Sequence, residues 1–161
     1  MEIQYLKGDI FKHKSDKRYM LVHGCNAQGV MGSGVAKTFK DLYPGAYAKY
    51  QEDVVKFSSI PRDRLGNVSY FFAIDRNETE VILCSAITQE NYGRDGSRYV
   101  SYEAIFDSFR DIFNVAFSGS MDVVMPKIGC GLGGGDWFVV SSIIQLLSIE
   151  RPDLKVIVYE Y

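Results

Sequence analysis

The chain has 161 residues, a formal net charge of −2 and a sequence pI of about 5.7, with 47% hydrophobic and 24% charged residues. That balance excludes a disordered chain and a global basic field that would concentrate nucleic acid, and the length suits one domain burying roughly 70% of the surface it exposes when unfolded. Cys25, Cys84 and Cys130 are odd in number and far apart, which argues against a disulfide framework and a zinc site and favours a reducing cytoplasm. The first residues carry charges where a signal peptide needs an apolar core, and no apolar run approaches the ~20 residues of a membrane span. With no repeat, low-complexity tract or linker, a single cytoplasmic domain over residues 1–161 is expected, with no membrane partner.

Ile3 to Leu6 reads as a short strand leading into Gly8 and Asp9, and Lys12 to Arg18 as a polar, basic connection. Tyr19 to Gly24 is an apolar run of buried-strand type, ending in a glycine-rich stretch from Asn26 to Gly34. Val35, Phe39 and Leu42 keep a helical period that should stop at Tyr43 to Gly45, and a second helix follows from Ala46 to about Lys56. Pro61 to Gly66 is a polar turn. Val68 to Ile74 and Val81 to Ile87 read as two strands with a tight connection, and Thr88 to Tyr99 as a polar, mobile loop. Ala104, Ile105, Phe109, Ile112, Phe113 and Ala116 mark one face of a long helix. A strand from Asp122 to Pro126, a glycine loop and a helix starting at Trp137, capped by Asp136, come next; Leu154 to Tyr159 is a last strand. Alternating strands and amphipathic helices predict an α/β fold with helices on both faces of the sheet.

Five of the fifteen glycines fall between Gly129 and Gly135, between a strand and a helix. Glycines let the backbone lie close against a ligand, and the helix behind points free N–H groups at it, so the loop suits a phosphate. Gly129 to Gly134 matches the dinucleotide fingerprint literally, but Glu150, Asp153 and Glu160 are badly placed as its acidic partner. A P-loop fails because Val35 and Ala36 replace its lysine and hydroxyl residue. A cysteine phosphatase fails because Asp136 stands where an arginine should clamp the phosphate, leaving Cys130 as a small loop residue.

His23 has two readings: a core histidine bonded to its surroundings, or a general acid/base at the pocket. His13, among lysines, is expected to be solvated. Asp9 is a turn former or a carboxylate that accepts the amine of a base, while Tyr159 and Tyr161 are strand filler or a surface for a flat base. Arg94 and Arg98 suggest a lid meeting a phosphate, against the alternative of a solvated loop.

The segments Tyr5 to Ile10, Val22 to Asn26, Met31 to Ala36 and Pro126 to Leu132 together resemble the macrodomain family over essentially the whole chain. The branch they resemble holds ADP-ribose 1''-phosphate phosphatases and terminal ADP-ribose protein glycohydrolases. The resemblance implies a three-layer α/β/α fold around a mixed, mostly parallel sheet, with ADP-ribose across the strand ends. It implies that Asp9 holds the adenine amine and Ile10 adds a backbone contact. Asn26, Gly32, Ser33, Gly34 and Val35 would surround the distal ribose, and Ile128, Gly129, Cys130, Gly131, Leu132 and Gly133 would cradle the diphosphate. Tyr161 would stand near adenine.

In the glycohydrolase branch a lysine forms a covalent adduct with the sugar and an aspartate assists; the aligned positions here are Gln89 and Gly133, which argues against that activity. The resemblance therefore implies an ADP-ribose binder that hydrolyses the terminal phosphate of ADP-ribose 1''-phosphate, with His23 handling protons and Asn26 orienting the ribose. It implies no cofactor and no metal. A reader of free or protein-linked ADP-ribose is the alternative, with an ADP-ribosylated protein as a further partner.

Overall fold

The computed structural model describes residues 3–32, 34–93, 95–131 and 133–160. Six strands, β1 (Ile3–Lys7), β2 (Tyr19–Asn26), β3 (Val68–Ile74), β4 (Glu80–Gln89), β5 (Val123–Pro126) and β6 (Val156–Glu160), form one sheet in the order β1-β6-β5-β2-β4-β3. Every neighbouring pair is parallel except β3 with β4, the two strands joined by the tight turn at Asp75 to Thr79. Among the described residues there are four α-helices, α1 (Gly34–Leu42), α2 (Pro44–Phe57), α3 (Tyr102–Gly119) and α4 (Trp137–Ser148), and two 3-10 turns, Ile10–Lys12 and Pro61–Arg64.

Alternation along the strands assigns the layers. Met20 and Val22 of β2, Val123 and Met125 of β5, and Val156 and Val158 of β6 pack under α3 and α4. Leu21, Leu83, Val124 and Ile157 face the other way, under Phe39 of α1 and Ala46 of α2. Tyr50 and Val54 of α2 close a third cluster over Cys25 and Ile87. Burial of a side chain such as Phe109 or Ile112 on α3 contributes about 1.5–3 kcal/mol, so α3 fixes one face of the sheet firmly.

Helix ends follow local chemistry. Pro44 opens α2 immediately after α1 stops, Ser101 Oγ accepts the Ala104 N–H at 3.1 Å to cap α3, and Asp136 caps α4 by accepting the Phe138 N–H at 2.9 Å. Two strands run further than their patterns suggest. β2 reaches Asn26 and β4 reaches Gln89, because Asn26 pairs with Gln89 across a register shift and Gln89 bridges to Val100. Thr88 and Gln89 therefore belong to the sheet and not to the loop.

Candidate functional site

β2 and β5 are paired only at Met20 with Val123 and Leu21 with Val124, whereas β2 runs on beside β4 to its end. Past that level one chain leaves toward α1 on one face and the other toward α4 on the opposite face. Open α/β sheets bind ligands at such a switch point. Here it forms a cavity of about 520 Å³, within the roughly 300–1,000 Å³ usual for small-molecule sites. Gly24 lies on its floor, where a β-carbon would meet Thr88 Oγ1 at 2.9 Å and Ile128 Cγ2 at 3.1 Å. Only glycine leaves that gap open.

The loop after β5 forms the other wall. Gly129 has φ of 78°, a conformation that favours glycine, and its carbonyl accepts the Gly135 N–H at 2.7 Å, which folds the loop back on itself. The Gly133 carbonyl accepts the N–H groups of Tyr99 and Val100 at 2.7 and 3.1 Å, so the segment before α3 is docked on the glycine loop. Asp95 stiffens that segment by accepting from the Ser97 N–H at 2.9 Å and the Tyr99 hydroxyl at 2.8 Å. The expected mobile loop is in this half an anchored turn. Tyr92 and Gly93 line the cavity, while Arg98 lies over the Tyr102 ring at 4.8 Å; Arg94 is outside the described residues.

On the β2 side, Asn26 shapes its own loop. Its Oδ1 accepts the Gln28 N–H at 2.9 Å and the Tyr50 hydroxyl at 3.1 Å, and its Nδ2 donates to the Val30 carbonyl at 2.8 Å. Arg64, from the segment expected only as a polar turn, is buried and donates to the Ala27 carbonyl at 2.7 Å and the Ser58 carbonyl at 2.8 Å. These long-range supports hold the loop that carries Gly32, Gly34 and Val35 to the cavity.

Residues 22–144 match the sequence model of the Macro domain family. The chain belongs to the macro domain family. The ADP-ribose 1''-phosphate phosphatase of Meyerozyma guilliermondii is 34% identical over 108 residues, which span 67% of this chain and 55% of that protein. The ADP-ribose 1''-phosphate phosphatase of Candida albicans is 27% identical over 150 residues, spanning 89% of this chain and 92% of that one. A macrodomain protein from Streptomyces coelicolor has a similar structure, with a TM-score of 0.77 at 26% identity over 99% of each chain. The three-layer α/β/α macrodomain architecture is thus that of this chain.

In this macro domain the cavity is bordered by His23, Asn26, Gly32, Gly34, Val35, Ile128, Gly129, Gly131 and Gly133. Ser33, Leu132 and Tyr161 lie outside the described residues. Asp9, Ile10 and Cys130 do not line the cavity. Asp9 follows β1 at the same end of the sheet and caps a 3-10 turn by accepting the Phe11 N–H at 2.9 Å; Ile10 is buried, with its side chain in the core under α1. The Cys130 thiol is directed to the Ile128 carbonyl at 3.4 Å, and burial raises its pKa, which disfavours the thiolate. Pro126, Lys127 and Thr88 join the lining without having been singled out from the sequence; a residue flanking a glycine loop or ending a buried strand was the available signal.

His23 has the surroundings of its core-histidine reading. The residue borders the cavity but is only 1% exposed, its ring stacked on Phe39 with centroids 3.8 Å apart and its Nε2 2.7 Å from Ser85 Oγ. Burial lowers its pKa to about 3, so the ring is neutral at physiological pH. His13 is likewise not solvated. It is 7% exposed, wedged against Tyr19, with Nδ1 2.8 Å from the Tyr159 hydroxyl, and burial lowers its pKa too.

A pH dependence of stability follows. An unfolded histidine titrates near 6.5 and folded His23 near 3, so between those values the unfolded chain binds more protons. The contribution is complete above pH 6.5 and is lost as pH falls toward 3, at up to about 1.4 kcal/mol per pH unit for this one group. Urea unfolding between pH 7.5 and 5 should show that decline, and His23→Leu should make it shallower. An unchanged slope in the variant would mean that the ring is not held neutral.

Gln89 and Gly133 stand face to face. A β-carbon on Gly133 would lie 3.2 Å from Gln89 Oε1, so the two positions meet at the cavity wall, carrying an amide and no side chain, neither nucleophile nor acid.

Proposed function

We propose that this macro domain binds ADP-ribose along the strand ends and hydrolyses the terminal phosphate of ADP-ribose 1''-phosphate in the crevice between β2 and β5. The observation that carries the reading is that crevice: two glycine-rich walls, one leading into the N-terminus of α4, of a composition that suits phosphate binding. The Meyerozyma and Candida relatives are phosphatases of that compound, which supports the reading.

In this arrangement the glycine loop holds the diphosphate through the N–H groups of Gly129, Gly131 and Gly133, those of Ile128 and Cys130 being donated to the Pro126 and Lys127 carbonyls, and the second Nδ2 hydrogen of Asn26 meets a hydroxyl of the distal ribose. Water attacks the terminal phosphorus, the bond from phosphorus to the anomeric oxygen breaks, and that oxygen takes a proton, giving ADP-ribose and inorganic phosphate. His23 acts as a positioning residue that braces the end of β2. The three free cysteines suit a reducing cytoplasm as the place of action. Among the described residues no helix is long and apolar enough to cross a membrane.

A second reading, a reader of ADP-ribose without chemistry, is favoured by the buried, neutral state of His23, and an ADP-ribosylated protein would then be its partner. Release of inorganic phosphate from ADP-ribose 1''-phosphate supports the phosphatase; tight binding without release supports the reader. Asp9→Asn tests the binding mode. The amide still caps the Phe11 N–H but offers one acceptor fewer to the adenine amine, so calorimetry should show about 10-fold or greater loss of ADP-ribose affinity with nearly unchanged stability. Unaltered affinity would remove Asp9 from the site.

A further inference from the structure

A diphosphate brought into the crevice carries its negative charge into a site with almost no positive charge to meet it. Among the described residues that line the cavity, Lys127 is the one that is charged, since His23 is neutral and the others do not ionise near neutral pH. The N-terminus of α4 is partly answered from within the chain. Asp136 sets its carboxylate on the Phe138 N–H at 2.9 Å, at the place where an anion gains most from the helix. Backbone N–H groups orient phosphate oxygens, but compensating their charge falls to a cation.

Lys127 stands where such a cation is needed. It immediately precedes the glycine loop, and its carbonyl accepts the Cys130 N–H at 3.3 Å, so it forms the first corner of that loop. Its field extends over the loop as well: burial and Asp136 raise the pKa of the Cys130 thiol, and Lys127 opposes them. The ammonium rests against Glu160 of β6, with Nζ 3.8 Å from Oε2 and the two side chains 40% and 36% exposed. That separation is too long for a hydrogen bond, and an ion pair so open to water holds its partners weakly. Glu160 also stands in register with Lys7 of β1, and in-register neighbours of parallel strands share a face, so a second ammonium is at hand for its carboxylate.

We propose, on the ADP-ribose reading of the crevice, that Lys127 is the counter-charge of the bound diphosphate and that Glu160 holds it aside until the ligand arrives. Binding turns the ammonium from the carboxylate to the phosphate oxygens and leaves Glu160 beside Lys7. A loose pair in the open is thereby exchanged for a charge-assisted hydrogen bond in a more enclosed place, where opposite charges attract more strongly. Glu160 restrains affinity, because it competes with the ligand for that cation.

Calorimetry with ADP-ribose on the parent chain, Lys127→Met, Glu160→Gln and the double variant tests the exchange. Lys127→Met keeps an apolar stem and loses the charge. It is expected to weaken binding about tenfold in dilute buffer and by less in about 1 M salt, where charges are screened beyond about 3 Å. Glu160→Gln should tighten binding about two- to fivefold, and should lose that effect once Lys127 is replaced, as for two residues that act through each other. Because both side chains are exposed, urea unfolding should be the same for all four chains, which separates a lost contact from a lost fold. A Lys127→Met chain that binds as the parent does, or a Glu160→Gln gain that persists in the double variant, overturns the exchange and leaves the crevice reading standing. A parent chain that binds no ADP-ribose overturns that reading, and the exchange with it.

Discussion

Valine in place of Gly129 is expected to destabilise the protein by about 2–5 kcal/mol and to abolish measurable ADP-ribose binding. Two costs add. The backbone there has φ of 78°, where an L side chain costs about 1–2 kcal/mol, and the new β-carbon would lie 2.7 Å from Val100 Cγ2, an overlap of the kind that costs about 1–3 kcal/mol. Relief requires the loop to move, and the Gly129 carbonyl is the acceptor that closes it onto Gly135. Backbone displaced by about 1 Å no longer presents its N–H groups to a diphosphate. Gly131→Ala is the control: among the described residues no heavy atom lies within 4 Å of its β-carbon position and its φ is not positive, so urea unfolding should place it within about 0.5 kcal/mol of the parent. Equal stability of the Gly129 and Gly131 variants would contradict the loop geometry.

The double variant Gln89→Lys, Gly133→Asp is expected not to gain glycohydrolase activity, although it places at both positions the residue types that the family resemblance implies for that branch. The β-carbon of an aspartate at 133 would lie 2.8 Å from the Gly129 carbonyl oxygen, closer than such atoms approach, and its carboxylate would crowd that same oxygen. The expected cost is about 1–3 kcal/mol, together with an opening of the loop that the lysine needs in place. Mass spectrometry of a mono-ADP-ribosylated protein incubated with the variant should show the modification intact. Its removal would mean that the loop adapts and that chemistry at this site is limited by residue type alone.

Periodicity made most of the fold legible. Val22 beside Leu21, or Ile105 followed by Phe109 and Ile112, state which face is buried, because a strand repeats every two residues and a helix every three to four. Asp136 could be read as a cap because the bond it makes is local, to Phe138. Contacts between distant segments left no such trace. Nothing near His13 announces Tyr159, nothing near Arg64 announces the Ala27 carbonyl, and nothing in the stretch from Asp95 to Val100 announces that it docks on Gly133. Burial of His23 was open for the same reason: a histidine inside an apolar strand belongs to the core or to a site according to what the neighbouring helix supplies, and here α1 supplies Phe39. The glycine walls were readable as cavity lining because glycine at such density between a strand and a helix lets backbone face a crevice. Their width was not, since it depends on where the β2–β5 ladder stops.

The central claim, a crevice that binds ADP-ribose 1''-phosphate and releases its terminal phosphate, is tested most directly by phosphorus NMR. The protein is mixed with that compound and the spectrum followed over hours. The account predicts that the terminal phosphate resonance decays as inorganic phosphate grows, with the diphosphate resonances of ADP-ribose retained. Resonances that shift or broaden without conversion would contradict the hydrolysis and leave a binding domain; a spectrum unperturbed by the protein would contradict the site itself.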